Sequence, residues 1–174
     1  KEDILDREKL IASLPQIEVT FQLTATYPVI VLNGVNVEAN IRTMEVANQV
    51  SKVAAIPEVR FKLVELQRKI SENQSVVMDG RDIGTVVFPD ATLKVFLTAS
   101  PAVRAQRRVA QSGGDVVVIE EQIRQRDHLD STRADSPLRE SNDSLFIDTT
   151  ELSIDAVVKQ ITSSVESIES NINE

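Results

Sequence analysis

Cysteine and tryptophan are absent from this 174-residue chain, histidine occurs once and glycine five times. Without cysteine there is no disulfide framework, no thiolate zinc site and no cysteine nucleophile, which fits a reducing compartment; a cytoplasmic location is expected. Long apolar runs are also missing: none approaches the roughly 18 residues that a membrane helix needs, and the charged start Lys1-Glu-Asp is unlike a signal peptide. No membrane association is expected. Positive charge is in short supply, with 19 Lys and Arg against 27 Asp and Glu and a net charge of −8. A general nucleic-acid binder needs a basic face to displace counterions, so that class is set aside. Aromatic residues make up 3% of the chain, and five of the six lie on strands or apolar stripes, which argues against stacking platforms for single strands. A hydrophobic content of 41% is nevertheless ample for a core.

What is present is concentrated. Between Arg104 and Arg139 stand seven of the twelve arginines and no lysine. Arginine offers a planar fork that grips phosphate oxygens through two bonds, whereas lysine is a point charge. Six acidic residues share the stretch, so a solvated helix pair laced with ion pairs is the competing interpretation. The second concentration is Ser75-Val-Val-Met-Asp-Gly-Arg-Asp-Ile-Gly-Thr-Val-Val-Phe-Pro-Asp90. Val76, Val77 and Met78 read as a buried parallel strand that delivers Asp79, Arg81 and Asp82 to the crevice where α/β sheets bind ligands. Gly80 and Gly84 would let the backbone turn sharply and approach a ligand.

The periodicities give an element order. Residues 3 to 14 space their apolar residues helically up to Pro15. Residues 17 to 23 alternate, and Val29-Ile-Val-Leu32 and Val35-Asn-Val37 flank Asn33-Gly34, a strong hairpin signal, so a small antiparallel sheet is predicted over about 17–37. Helices are predicted from Thr43 to about Ala55, from Pro57 along the stripe Val59, Leu63, Leu66 and Ile70, from Pro101 through Arg108, and from Ile119 to Leu129. Buried strands are predicted at Leu93–Leu97 and Leu145–Asp148, and Ser153 caps a last helix whose end, 163 to 174, is expected to fray. Strands that each lead into a helix make the chain α/β, with a parallel-sheet core, an antiparallel insertion and an arginine-rich helical pair.

The stretch at 75–90 resembles the D-G-R-D-x-G-T-x-V-F-P-x-A signature of bacterial cytidylate kinases, a branch of the nucleoside monophosphate kinases. Ile41 to Arg60 is similar to that family's I-R-T-x-E-V…V-S-x-V-A-x-x-P-x-V-R segment, Gln125 to Arg133 to its lid motif R-D-x-x-D-x-x-R, and Leu145 to Ile154 to the region of its last strand. These matches follow the family order along nearly the whole chain. The resemblance implies a P-loop-kinase-like core with an antiparallel β insertion in the nucleotide-binding domain and a helical lid: 1–56 as the CMP-binding domain, 57–107 and 134–174 as the core, 108–133 as the lid. It implies phosphoryl transfer from ATP, with Mg2+, to CMP or dCMP; no obligate protein partner is evident from the sequence.

By the same resemblance Ser51, Arg60 and Asp82 fall where the family reads the cytosine, and Asp82 can accept from its exocyclic amine. Arg81 and Arg133 fall where it grips the α-phosphate, Asp130 where it holds the ribose hydroxyls, and Arg126 near the transferring phosphoryl group, so that Arg126 and Arg133 carry the catalytic role. Arg107 and Arg108 are candidates for the ATP side of the lid, and Asp79 for a magnesium-bound water. His128 reads as a solvated side chain.

The pattern is incomplete. The family should carry G-x-x-x-x-G-K-[ST], whose amides and lysine cradle the donor phosphates, yet none of Gly34, Gly80, Gly84, Gly113 and Gly114 precedes a lysine. The chain reads as if it starts after that loop and after an arginine-bearing segment that follows it. The lid between Arg108 and Glu120 is short, and Glu38-Ala39 stands where some members have Ser-Gly. Two alternatives stand beside the kinase: a pyrimidine-nucleotide-binding module without catalysis, and a monophosphate kinase with a different base.

Overall fold

The computed structural model describes residues 5–25 and 27–172, which form two compact units, 1–78 and 79–174. In the first unit Asp6 caps helix α1 (Arg7–Ser13) by accepting from the Lys9 amide at 3.1 Å. Three antiparallel strands follow in the order β1 (Val19–Leu23), β2 (Pro28–Leu32) and β3 (Val35–Asn36). The predicted Asn-Gly turn joins the last two, with both residues at positive φ, 48° at Asn33 and 80° at Gly34. The Asn33 side chain also accepts from the Glu18 amide at 2.8 Å, which helps fix the register of β1. Val29 and Val31, alternate residues of β2, point to one face and are buried. Helices α2 (Met44–Ala54) and α3 (Pro57–Ser71) complete the unit, and Ile56 and Val59 at their junction extend its core.

The second unit is built on a parallel pair, β4 (Val95–Thr98) and β5 (Leu145–Asp148). Phe96 sits opposite Phe146 in the register, and the two rings stack with centroids 6.0 Å apart. Ser100 caps α4 (Pro101–Ser112), and Asp115 caps α5 (Val116–Thr132) by accepting from the amides of Val117 and Val118. Gly113 and Gly114, at φ 72° and 111°, turn the chain between these helices, which pack against each other as a hairpin. Helix α6 (Ile154–Ile172) closes the unit, with Ser153 accepting from the Ala156 amide as predicted. Val87, Ala105 and Ile147 are its most buried apolar residues. Parallel strands followed by helices make the chain α/β.

Two expectations need correction. Residues 75 to 79 form no strand: Val76 is 37% exposed and Val77 fully so. A strand needs a neighbour for its amides and carbonyls, and among the described residues β4 pairs only with β5. The arginine-bearing helix continues through Arg108 to Ser112 and ends at Gly113, in the Ser112-Gly-Gly114 stretch that breaks it. Finally, α6 stays helical to Ile172, because its sequence, rich in polar residues, also keeps apolar positions such as Ile161, Val165 and Ile168 at helical spacing. No helix among the described residues is long and apolar enough to cross a membrane.

Candidate nucleotide-binding site

The Asp-Gly-Arg-Asp turn of the second unit leads directly into a wide helical turn over Ile83–Val87. The Asp82 carbonyl accepts from the amides of both Val86 (2.9 Å) and Val87 (3.2 Å), and Phe88 donates to Ile83 at 2.7 Å. Such five-residue bonds mark a π-turn, a form frequent at functional sites. The glycines in this stretch are confined by neighbouring side chains rather than by a left-handed backbone. Neither Gly80 nor Gly84 has positive φ; instead a Cβ on Gly80 would meet Ile83 Cγ1 at 2.8 Å, and one on Gly84 would meet the Lys94 side chain at 3.2 Å. Both positions are held by side-chain crowding.

Helix α5 supplies the opposite wall. Asp130, 7% exposed, is the buried charged residue of the described chain. Arg81 Nε donates to its Oδ2 at 3.1 Å, Arg126 Nε lies 3.8 Å from the same oxygen, and Arg133 Nη1 lies 4.0 Å from Oδ1. Arg133 Nη2 is 3.9 Å from Asp82 Oδ1, and both of those side chains are largely buried. Spacing explains the gathering: positions 126, 130 and 133 are separated by four and three residues, so α5 and its C-cap carry them on one face. Three guanidiniums against two carboxylates leave one formal positive charge. A burial cost of this kind is tolerable only when such charges are paired and hydrogen-bonded, and the cluster is chemically suited to an anionic oxygen ligand.

The turn after α5 fixes Arg133 from the other side. Its Nε donates to the Ser136 carbonyl at 2.7 Å, Nη2 donates to the same oxygen, Ser136 sits at φ 50°, and Leu138 returns an amide to the Asp130 carbonyl at 2.8 Å. A second pair, which the sequence reading did not single out, braces α5. Arg104 of α4 donates to both carboxylate oxygens of Asp127, through Nη1 at 2.9 Å and through Nη2, while its Nε donates to the Ala99 carbonyl at 3.0 Å. The hydrogen bond to Asp127 raises the Arg104 pKa above its ordinary value. The signals in the sequence were the crowding of arginines and acids over 104–139 and the place of Asp127 in the R-D-x-x-D-x-x-R motif; a pairing across 23 positions has no local signature.

Of the residues nominated from sequence, Arg81, Asp82, Arg126, Asp130 and Arg133 are thus brought together. Asp79 is exposed at the entry to the turn. Arg107 donates to Thr149, to Oγ1 at 3.1 Å and to the carbonyl at 2.6 Å, so it ties α4 to the loop after β5; Arg108 lies one position further on the same helix, exposed. Ser51 and Arg60 belong to the first unit. Ser51 lies on α2 with its side chain outside the described residues, and Arg60 on α3 donates from Nη1 to the Ala54 carbonyl at 3.4 Å. His128 is exposed. The first unit also has an open groove of about 690 Å3 lined by Tyr27, Pro28, Val29, Asn36, Glu38, Ala39 and Arg42, which contains none of the nominated residues. Glu38 there accepts from the Ile30 amide at 3.2 Å and from Arg42, whose hydrogen bond holds the Glu38 carboxyl below its usual pKa. The glutamate that departs from the family pattern is therefore a brace within the sheet unit.

A parallel strand pair followed by helices, beside a buried arginine–carboxylate cluster, defines the class as an α/β protein. The family model for cytidylate kinase matches residues 1–167. The chain is 48% identical over 159 residues to the cytidylate kinase of Flavobacterium psychrophilum, covering 87% of this chain and 70% of that one. It is 49% identical over 153 residues to that of Flavobacterium johnsoniae (84% and 66%), and 46% over 158 residues to that of Parabacteroides distasonis (87% and 69%). The chain belongs to the cytidylate kinase family, whose fold is that of the P-loop kinases, and spans between 66 and 70% of the length of these relatives.

Proposed function

We propose that this chain carries the acceptor side of a cytidylate kinase, which transfers a phosphoryl group from ATP to CMP or dCMP and releases ADP and the corresponding diphosphate. The observation that supports the reading best is the buried Asp130 surrounded by Arg81, Arg126 and Arg133 with Asp82 beside them, at the positions that match the family motifs. In this reading Arg81 and Arg133 grip the α-phosphate, Asp130 takes the ribose hydroxyls, and Asp82 accepts from the cytosine amine with Ser51 and Arg60 as donors to the rest of the base edge. Arg126 lies toward the transferring group, and Arg107 and Arg108 toward ATP. Residues 1–56 form the CMP-binding domain with its antiparallel insertion, 57–107 and 134–174 the core, and 108–133 the lid.

Phosphoryl transfer of this type relies on positioning and charge neutralisation, which guanidinium forks supply. A magnesium ion would be held here through one or two protein carboxylates or through water. The exposed Asp79 fits a contact through water, and among the described residues no group of three or more acidic, histidine or cysteine side chains is gathered as a cage. When bound, the ion would neutralise charge on the donor phosphates. The loop G-x-x-x-x-G-K-[ST] does not occur within the 174 residues, so the donor site is incomplete in this chain. Calorimetric titration with CMP, dCMP and UMP tests the reading: CMP or dCMP should bind more tightly than UMP, and equal affinity for cytosine and uracil nucleotides would overturn it.

A further inference from the structure

We infer that Arg104 is a positioning residue for the phosphate site, holding α5 at the angle at which Arg126, Asp130 and Arg133 face the Asp-Gly-Arg-Asp turn. The inference rests on the nucleotide-site reading above and adds a residue outside it. The hydrogen bonds of Arg104 go to groups outside the cluster. Its Nε donates to Ala99, the residue that follows β4, and its two terminal nitrogens donate to Asp127. Ala99 is a firm anchor: it is 6% exposed, and the next amide, Ser100, donates to Thr150 Oγ1 at 3.0 Å beyond the end of β5. Asp127 directly follows Arg126 and precedes Asp130 by three positions on α5. The fork therefore couples the carboxyl ends of the parallel strands to the helix that carries the cluster. A planar, two-bonded contact sets the helix rotation as well as its distance, which a lysine at the same place cannot do.

The test uses the 174-residue chain and two probes, CMP and cytidine, with CMP affinity measured by calorimetry and cytidine affinity by competition. Arg104→Lys keeps the charge but loses the fork. It should weaken CMP roughly tenfold, as misplacement of gripping groups does, while cytidine, which lacks the phosphate, changes much less. The ratio of the two affinities is the decisive readout, because a variant that merely destabilises the fold lowers both alike. Asp127→Asn, which removes the partner instead, should move the ratio in the same direction, and it stands in if the first variant does not fold. An unchanged ratio in both variants, with wild-type chain binding CMP normally, overturns the positioning assignment. Failure of wild-type chain to prefer CMP over UMP would instead overturn the nucleotide-site reading on which it rests.

Discussion

Arg81 and Asp130, 49 positions apart in the sequence, meet through a 3.1 Å bond from Nε to Oδ2. The bond joins the turn that carries Asp82 to the helix that carries Arg126 and Arg133, so the groups proposed for base, ribose and phosphate are organised around one contact. Removing either partner would leave the other's charge partly buried without its main bond, a change that costs far more than the net contribution of the pair.

Asp82 is expected to set the base preference. Its side chain is 12% exposed and lies 3.9 Å from Arg133. In Asp82→Ala the cytosine amine loses its acceptor, and a buried donor left unsatisfied costs about 1 to 3 kcal/mol. CMP affinity should fall well below wild type while UMP affinity changes little. Parallel titrations of both nucleotides check this, and equal losses would return Asp82 to the status of a turn residue.

Arg133→Lys should weaken CMP binding roughly tenfold or more although charge is conserved, because the fork and its bond to the Ser136 carbonyl are both lost. Arg139→Lys, an exposed change in the same arginine-rich stretch, serves as control and should bind as wild type. Indistinguishable affinities for the two variants would assign Arg133 to surface ion pairing.

The chain of 174 residues should not transfer phosphate. Its sequence holds no G-x-x-x-x-G-K-[ST], hence no ring of amides and no lysine aimed at donor phosphates, and such positioned charge is nearly all the catalysis the reaction receives. A coupled assay with ATP, magnesium and CMP reads the outcome. CMP-dependent ADP production above background would contradict the account of the donor site.

The ends of the parallel strands should show a linked acid response. Asp148 Oδ1 accepts from Thr150 Oγ1 at 2.6 Å and from its amide at 2.9 Å, and these bonds, the hydroxyl's first, hold the Asp148 pKa below its ordinary 3.8. A depressed carboxylate stabilises the fold above its unfolded pKa, and that contribution is lost as pH falls through the folded value. Thr150→Val also removes the acceptor for Ser100 N and should lower stability at neutral pH. Denaturant melts at pH 7 and pH 3 should find the gap between variant and wild type narrower at the lower pH.

Local signals carried much of the fold. Asn33-Gly34 announced the hairpin, Pro57 and Pro101 marked the first turns of α3 and α4, and Ser153 capped α6. Each works through the residue's own backbone preference, which is readable without knowing its neighbours. The stretch Val76–Met78 failed because strand formation depends on a partner strand, which its composition does not specify. In the site, the family motifs nominated Arg81, Asp82, Asp130 and Arg133, but the bracing by Arg104 and Asp127 and the link from Arg107 to Thr149 join distant positions. The π-turn at 83–87 was likewise invisible, since it arises from Asp82's carbonyl serving two amides.

Asp130 also changes what kind of equilibrium ligand binding is. Three guanidiniums converge on a carboxylate already in place, so the protein carries a resident counterion. An incoming phosphate then exchanges with, or shares, an existing anionic partner rather than entering a bare cationic cavity. The net field it meets is that of about one charge, and screening acts on that net field. The salt dependence of CMP affinity should accordingly be shallow, nearer to that of a single ion pair than of three.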